Sequence, residues 1–131
     1  MIFETIYARL YQLIPDFDQV EKYKGLEAEG FMKLGVDILH RDAKGTVVAL
    51  SHYYKHPSGD MIPDPDMVVY VDREKKQAQA LSYQDMMIYT EVYPNTDTFY
   101  GVLANPDSAA QKSLNAFLAQ WLKNLLAQGH K

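Results

Sequence analysis

Cysteine is missing from this chain of 131 residues, so a disulfide, a thiolate zinc site and a cysteine nucleophile are all excluded. The absence fits a reducing compartment, and a cytoplasmic location is expected. No run approaches the roughly eighteen apolar residues that mark a membrane-spanning helix. The first residues hold Glu4 inside an amphipathic pattern and lack a basic, apolar and small-residue succession, so no signal peptide is expected. A glycine-rich phosphate loop, a helical zinc motif and a nucleophile elbow are also lacking, which removes the well-specified enzyme classes and leaves no cofactor indicated. There is no basic excess either. Thirteen Lys and Arg against seventeen Asp and Glu give a formal charge of -4, which argues against gripping nucleic acid through bulk charge.

What is present reads as a globular protein. Hydrophobic residues make up 47% and charged residues 23%, and the length suits one domain over residues 1–131 that buries its own core. Ile2, Ile6, Leu10 and Leu13 recur at helical steps, with Glu4 at the positive end and Pro15 as the stop. Residues 16–24 read as a polar link. From 25 to 93 the helical period gives way to valine, isoleucine, tyrosine and turn residues, the mark of successive antiparallel strands. Asp42-Ala43-Lys44-Gly45 predicts a hairpin turn with a left-handed glycine, setting Asp42 opposite Thr46, Ile38 opposite Leu50 and Val36 opposite His52. Pro57-Ser58-Gly59-Asp60 is the next turn, after which Leu50 falls opposite Met67, Val48 opposite Val69 and His56 opposite Met61. Segments 78–83 and 88–93 read as further strands, and 95–105 as a polar connection. Leu114, Phe117, Leu118, Trp121, Leu122, Leu125 and Leu126 then form an amphipathic helix, with Asn105 as its cap, Pro106 at its first position and Gly129 as its left-handed stop. The expected fold class is α+β: a single antiparallel β-sheet of about five strands, in meander order, packed against N-terminal and C-terminal amphipathic helices.

The polar residues concentrate in one place. His52-Tyr53-Tyr54-Lys55-His56, Gly59-Asp60 and Pro63-Asp64-Pro65-Asp66-Met67 gather histidines, carboxylates and prolines between two core strands. On a strand, rising about 3.3 Å per residue, His52 and His56 lie roughly 13 Å apart and do not share a metal. Asp64 and Asp66, two residues apart, share one side of an extended chain and are the weak candidates for a hard cation such as magnesium. The derived register sends both to the face of Ser51 and Tyr53, away from His52. Asp residues also commonly serve turns and backbone hydrogen bonds, so no metal site is assigned. His52, at the edge of the apolar face, reads as a hydrogen-bonded core-edge residue, although its near-neutral pKa makes it the best acid–base candidate. His40, His56 and His130 are expected in solvent. Tyr53, Tyr54, Tyr83, Tyr89 and Tyr93 alternate with polar residues, and could line a groove or pack half-buried on the sheet.

A resemblance covers most of the chain. Gly30-Phe31-Met32-Lys33-Leu34, Ser51-His52-Tyr53-Tyr54, Gly59-Asp60, Asp64-Pro65-Asp66-Met67, Ala80-Leu81-Ser82-Tyr83-Gln84, Glu91-Val92-Tyr93 and Phe117-Leu118-Ala119-Gln120-Trp121-Leu122 resemble an uncharacterised bacterial domain family. The family is met as small stand-alone proteins and in plasmid- or phage-borne proteins. The resemblance implies a bacterial, mobile-element setting and supplies no activity.

The function expected from these readings is a small binding or interaction module. Its candidate binding residues are His52, Tyr54, Asp60, Asp64, Asp66, Tyr83 and Glu91, and its partner is a protein or small molecule. The alternative is a metal-dependent or acid–base enzyme using His52 with Asp64 and Asp66. A second alternative is a nucleic-acid-associated accessory protein.

Overall fold

The helical period at the start of the chain becomes helix α1, Ile2–Leu13, in a computed structural model that describes residues 1–94 and 105–131. Ile6, Leu10 and Leu13 turn inward from it, and Pro15 follows its end. A single 3-10 turn, Phe17–Gln19, is clamped by Arg41, whose guanidinium donates to the carbonyls of Val20 and Phe17. Six strands follow: β1 (Tyr23–Leu26), β2 (Leu34–Arg41), β3 (Thr46–Lys55), β4 (Met61–Asp72), β5 (Gln77–Gln84) and β6 (Tyr89–Glu91). They form one antiparallel sheet in sequence order, and helix α2, Ser108–Gln128, closes the chain. The strand that sequence reading missed is β1, whose four residues carry no alternation. Most of the predicted connection falls on residues 95–104 and lies outside the described residues.

The sheet has one face against the helices. Leu34, Val36, Val48, Leu50, Met67, Val69 and Ala80 bury there with Ile6, Leu10, Leu118, Leu122 and Leu125. That is the face the period-2 reading assigned, yet the first register differs from expectation. Val36 sits opposite Leu50 and Ile38 opposite Val48, because Arg41 and not the expected Asp42 pairs with Thr46, and a bulge near Leu39 absorbs a second residue before His40 pairs with Val47. The displacement is two residues, an even number, so every side chain keeps its face. Gly45 is also not in the left-handed region expected of it. Its glycine is needed because a Cβ there would collide with the Val71 carbonyl and the Tyr70 hydroxyl. Asp42 makes the turn as expected, its carboxylate accepting from the amides of Lys44 and Gly45 at 2.8 and 3.1 Å.

Helix α2 starts two residues later than Asn105 would set it. Asp107 is the cap, accepting from Ala110 N–H at 3.0 Å while its own N–H donates to the Val92 carbonyl at 2.7 Å. Asn105 instead takes φ of 54°, a left-handed conformation open to Asn. At the other end Gly129 is left-handed as predicted, with φ of 86°. No helix among the described residues is long and apolar enough to cross a membrane.

Candidate functional site

Strands β3 and β4 outrun their neighbours. Pairing of β3 with β2 ends at Ser51 opposite Gly35, and pairing of β4 with β5 ends at Asp66 opposite Gln84. Beyond these points Tyr53–Pro63, Tyr54–Ile62 and Lys55–Met61 pair only with each other, so the hairpin projects as a two-stranded arm. Its root is irregular. Leu50–Met67 and Val48–Val69 pair as the turn counting placed them, and so does Ser51–Asp66, but the next pair is Tyr53–Pro63. One step on β3 thus spans one residue, His52, while β4 spans two, Asp64 and Pro65. This two-against-one bulge, whose Asp64–Pro65 peptide is cis, breaks the alternation of side chains along β4.

The bulge separates the two aspartates. Asp66 keeps the face of Ser51 and accepts a hydrogen bond from the Tyr53 hydroxyl at 2.5 Å. Asp64 goes to the side of His52, where its charge acts on both His52 and Tyr83. The sequence expectation that Asp64 and Asp66 share one side, away from His52, therefore fails for Asp64, because extended counting does not include the added residue. A cation held jointly by these two carboxylates is not supported. Among the described residues no three His, Asp or Glu side chains are grouped to hold a metal ion.

On the helix side a row of rings runs from β5 to β3. Tyr83 meets Phe117 edge-on at 5.3 Å, Phe117 lies 6.2 Å from Trp121, and Trp121 meets His52 edge-on at 5.4 Å. Phe117 remains 41% exposed in the middle of the row. His52 is only 7% exposed, and its Nδ1–H donates to the Lys33 carbonyl at 2.9 Å, which fixes the tautomer and leaves Nε2 as the acceptor. Burial holds its pKa below the ordinary histidine value, and nearby His130 pushes the same way, against the Lys33 carbonyl and the Asp64 carboxylate. Burial, with the Asp85 hydrogen bond and charge and the charge of Asp64, pushes the Tyr83 phenol up to about 12. Tyr54 reaches across to Met86, hydroxyl to sulfur at 3.5 Å, tying the arm to the turn that carries exposed Met86, Met87 and Ile88.

His130 was expected in solvent and is buried. Its ring lies 5.9 Å from His52, and Nε2–H donates to the Met32 carbonyl at 2.8 Å. The left-handed stop at Gly129 reverses the chain and brings it there, a consequence no local pattern announces. His56 is half-buried in the arm's turn, bonded to Ser58, and His40 lies within 3.0 Å of Asp42.

The seven candidate residues therefore divide. His52, Tyr54, Asp64 and Tyr83 gather on the helix side at the arm's root. Asp66 and Glu91 lie on the opposite face of the sheet, Glu91 beside Tyr89 at 2.8 Å and in register with Ser82. Asp60 sits at the arm's tip, accepting from Ser58 at 3.3 Å. Sequence reading missed Trp121 and Phe117 as site residues, since at helical spacing they look like ordinary core.

A family model described as Domain of unknown function (DUF6908) matches residues 5–131. The comparisons with curated proteins and with solved structures return no match.

Proposed function

The chain belongs to this family of unknown function, and from that footing we propose that it is a small binding module whose helix-side surface, at the root of the β3–β4 arm, takes a protein segment. The segment presents a basic side chain beside an apolar one. The bulge carries this reading, because it delivers the Asp64 carboxylate to the exposed end of an apolar ring row instead of leaving it on the far face. Aromatic and methionine side chains are typical anchors of recognition surfaces, and Phe117, Met86, Met87 and Ile88 are all exposed here. The arm's unpaired edges offer further backbone donors and acceptors for an extended partner. His52 orients the surface through the Lys33 carbonyl and leaves Nε2 to accept a hydrogen bond. Asp60, at the tip, widens the acidic rim. The bacterial, mobile-element and cytoplasmic setting implied by the resemblance and the composition belongs to the same proposal.

Selection from a displayed peptide library tests it. The wild-type protein should enrich peptides with an arginine or lysine next to an aromatic or aliphatic residue, and titration of a selected peptide should weaken about tenfold in both Asp64→Asn and Phe117→Ala. No enrichment, or enrichment indifferent to both substitutions, would overturn the proposal.

A further inference from the structure

Two adjoining rings of the helix-side row each carry a polar atom that the chain leaves without a partner. The chain's single tryptophan, Trp121, is 7% exposed, and its indole N–H makes no hydrogen bond with any described residue. His52 is exposed to the same extent. With Nδ1–H committed to the Lys33 carbonyl, its Nε2 holds a lone pair that no described residue uses. An indole nitrogen only donates and this imidazole nitrogen only accepts, so the two atoms are of opposite sense. They do not bond to each other, although the rings meet edge-on with centroids 5.4 Å apart.

Polar groups on buried side chains are ordinarily paired. Among the described residues no polar side-chain atom is both sealed from solvent and unpartnered, so the small part of each ring that still meets water includes its nitrogen. The row thus presents one donor and one acceptor side by side in a surface that is otherwise apolar. Phe117 continues that surface, 6.2 Å from Trp121 and largely open to solvent, and Tyr83 stands edge-on beyond it. Both polar rings are held firmly. Trp121 projects from α2 between wholly buried Leu118, Leu122 and Leu125, while His52 is pinned through Lys33 and backed by the His130 ring at 5.9 Å. A pair fixed in this way loses little freedom when a ligand arrives.

We infer that His52 Nε2 and the Trp121 indole N–H together recognise an amide group, the indole donating to its oxygen and the imidazole accepting its N–H, with the rest of the ligand over Phe117. This deepens the reading above by naming what the bound segment brings to the rings, and it rests on that surface but not on the Asp64 charge. No pocket is required, because a planar amide laid across two neighbouring rings meets both from outside. An ester lacks the N–H, and an ammonium or guanidinium lacks the acceptor, so none of these satisfies both atoms. The amide comes either from one extended residue of the segment, whose N–H and C=O point the same way, or from an Asn or Gln side chain.

Because the chain has one tryptophan, a single indole crosspeak in the proton–nitrogen correlation spectrum of the full chain reports the contact. Three probes without a basic group are titrated. N-acetylphenylalanine methylamide stands for the backbone source and hydrocinnamamide for the side-chain source, while methyl hydrocinnamate keeps the ring and the carbonyl but has no N–H. Saturable movement of the indole crosspeak, together with the His52 Nε2 nitrogen and not Nδ1, is expected with an amide, and the ester should bind about fivefold more weakly. Trp121→Phe, which keeps a ring without the N–H, should weaken the amide by about the same factor. Tighter binding of the methylamide assigns the group to the backbone, and tighter binding of hydrocinnamamide to a side chain. An indole crosspeak unmoved by both amides, or an ester that binds as tightly as they do, would overturn the inference and leave water as the partner of these atoms. The comparison of amide with ester needs no substitution, so the test holds even where Trp121→Phe folds poorly. Its failure leaves the selection of basic peptides standing, and failure of that selection leaves the amide result readable.

Discussion

Asn115 is the only polar residue of α2 that is almost wholly buried, at 1% exposure, and its amide has two fixed tasks. Its Oδ1 accepts from Ala80 N–H at 2.8 Å, and its Nδ2 donates to the Gln111 carbonyl at 2.7 Å. Ala80 needs that acceptor because β5 bulges there: Val68 pairs with Ser82 and Val69 with Ala80, leaving Leu81 outside the ladder. Asn115→Ala strands a buried N–H and should cost about 1–3 kcal/mol, read as a lower denaturation midpoint with an unchanged slope. A change within a few tenths of a kcal/mol would refute the account. His52 makes the complementary case for pH. Its folded pKa lies below its unfolded value of about 6.5, so the unfolded chain binds the extra proton first. Its contribution to stability is present above about pH 6.5 and fades as the pH falls through that value. His52→Asn, which keeps an N–H for the Lys33 carbonyl but does not titrate, should therefore show a shallower loss of stability than wild type between about pH 7 and pH 5. Parallel curves would count against it. His52 was legible in the sequence because alternation put it on the apolar face. Asn115 was not, since a helical pattern gives no sign that a bulge elsewhere will need an acceptor.

At the scale of elements, apolar period carried the reading well and inserted residues defeated it. Both helices and five of the six strands follow from steps of three and four or of two, because one face of each must be buried. β1 was missed because its four residues hold two glycine-compatible or polar positions and a single buried side chain, Leu26. Bulges near Leu39, at Asp64–Pro65 and at Leu81 each add one residue to a ladder, and none has a signature in alternation. Their effects differ. The bulge near Leu39 and the shifted pairing of Thr46 together left the inner face unchanged, so an incorrect register still gave the correct core. The bulge at Asp64–Pro65 decided the candidate site, sending one aspartate to the ring row and leaving the other beside Tyr53. A prolyl pair within a strand marks a place where the ladder is interrupted, and only the pairing on both sides tells which way the side chains then point.

For the molecule as a whole, the last residues close the structure back on its beginning. Arg9 of α1 donates to the Ala119 carbonyl of α2 at 2.7 Å, and beyond Gly129 the chain turns to meet the end of β1. Glu27 and Lys131 exchange two backbone hydrogen bonds, at 3.1 and 3.0 Å, while His130 holds the Met32 carbonyl. The segment 27–33 is thus secured from one side by the C-terminal residues and from the other by His52 through Lys33. The same segment supplies Lys33 to the open face, so both faces of the sheet depend on how it is held. A chain ending at Gly129 loses the Glu27–Lys131 pair and the three bonds of His130, one to the Met32 carbonyl and two to the Leu125 carbonyl. Five hydrogen bonds at about 1 kcal/mol each predict a loss of roughly 3–6 kcal/mol, with faster amide exchange confined first to residues 27–33. Removing His130 also removes a charge that holds the His52 pKa down and opens His52 to water, so the His52 ring should titrate at higher pH in the shortened chain. Unchanged exchange in 27–33 together with an unmoved His52 titration would mean that the C-terminal residues only rest on this segment and do not hold it.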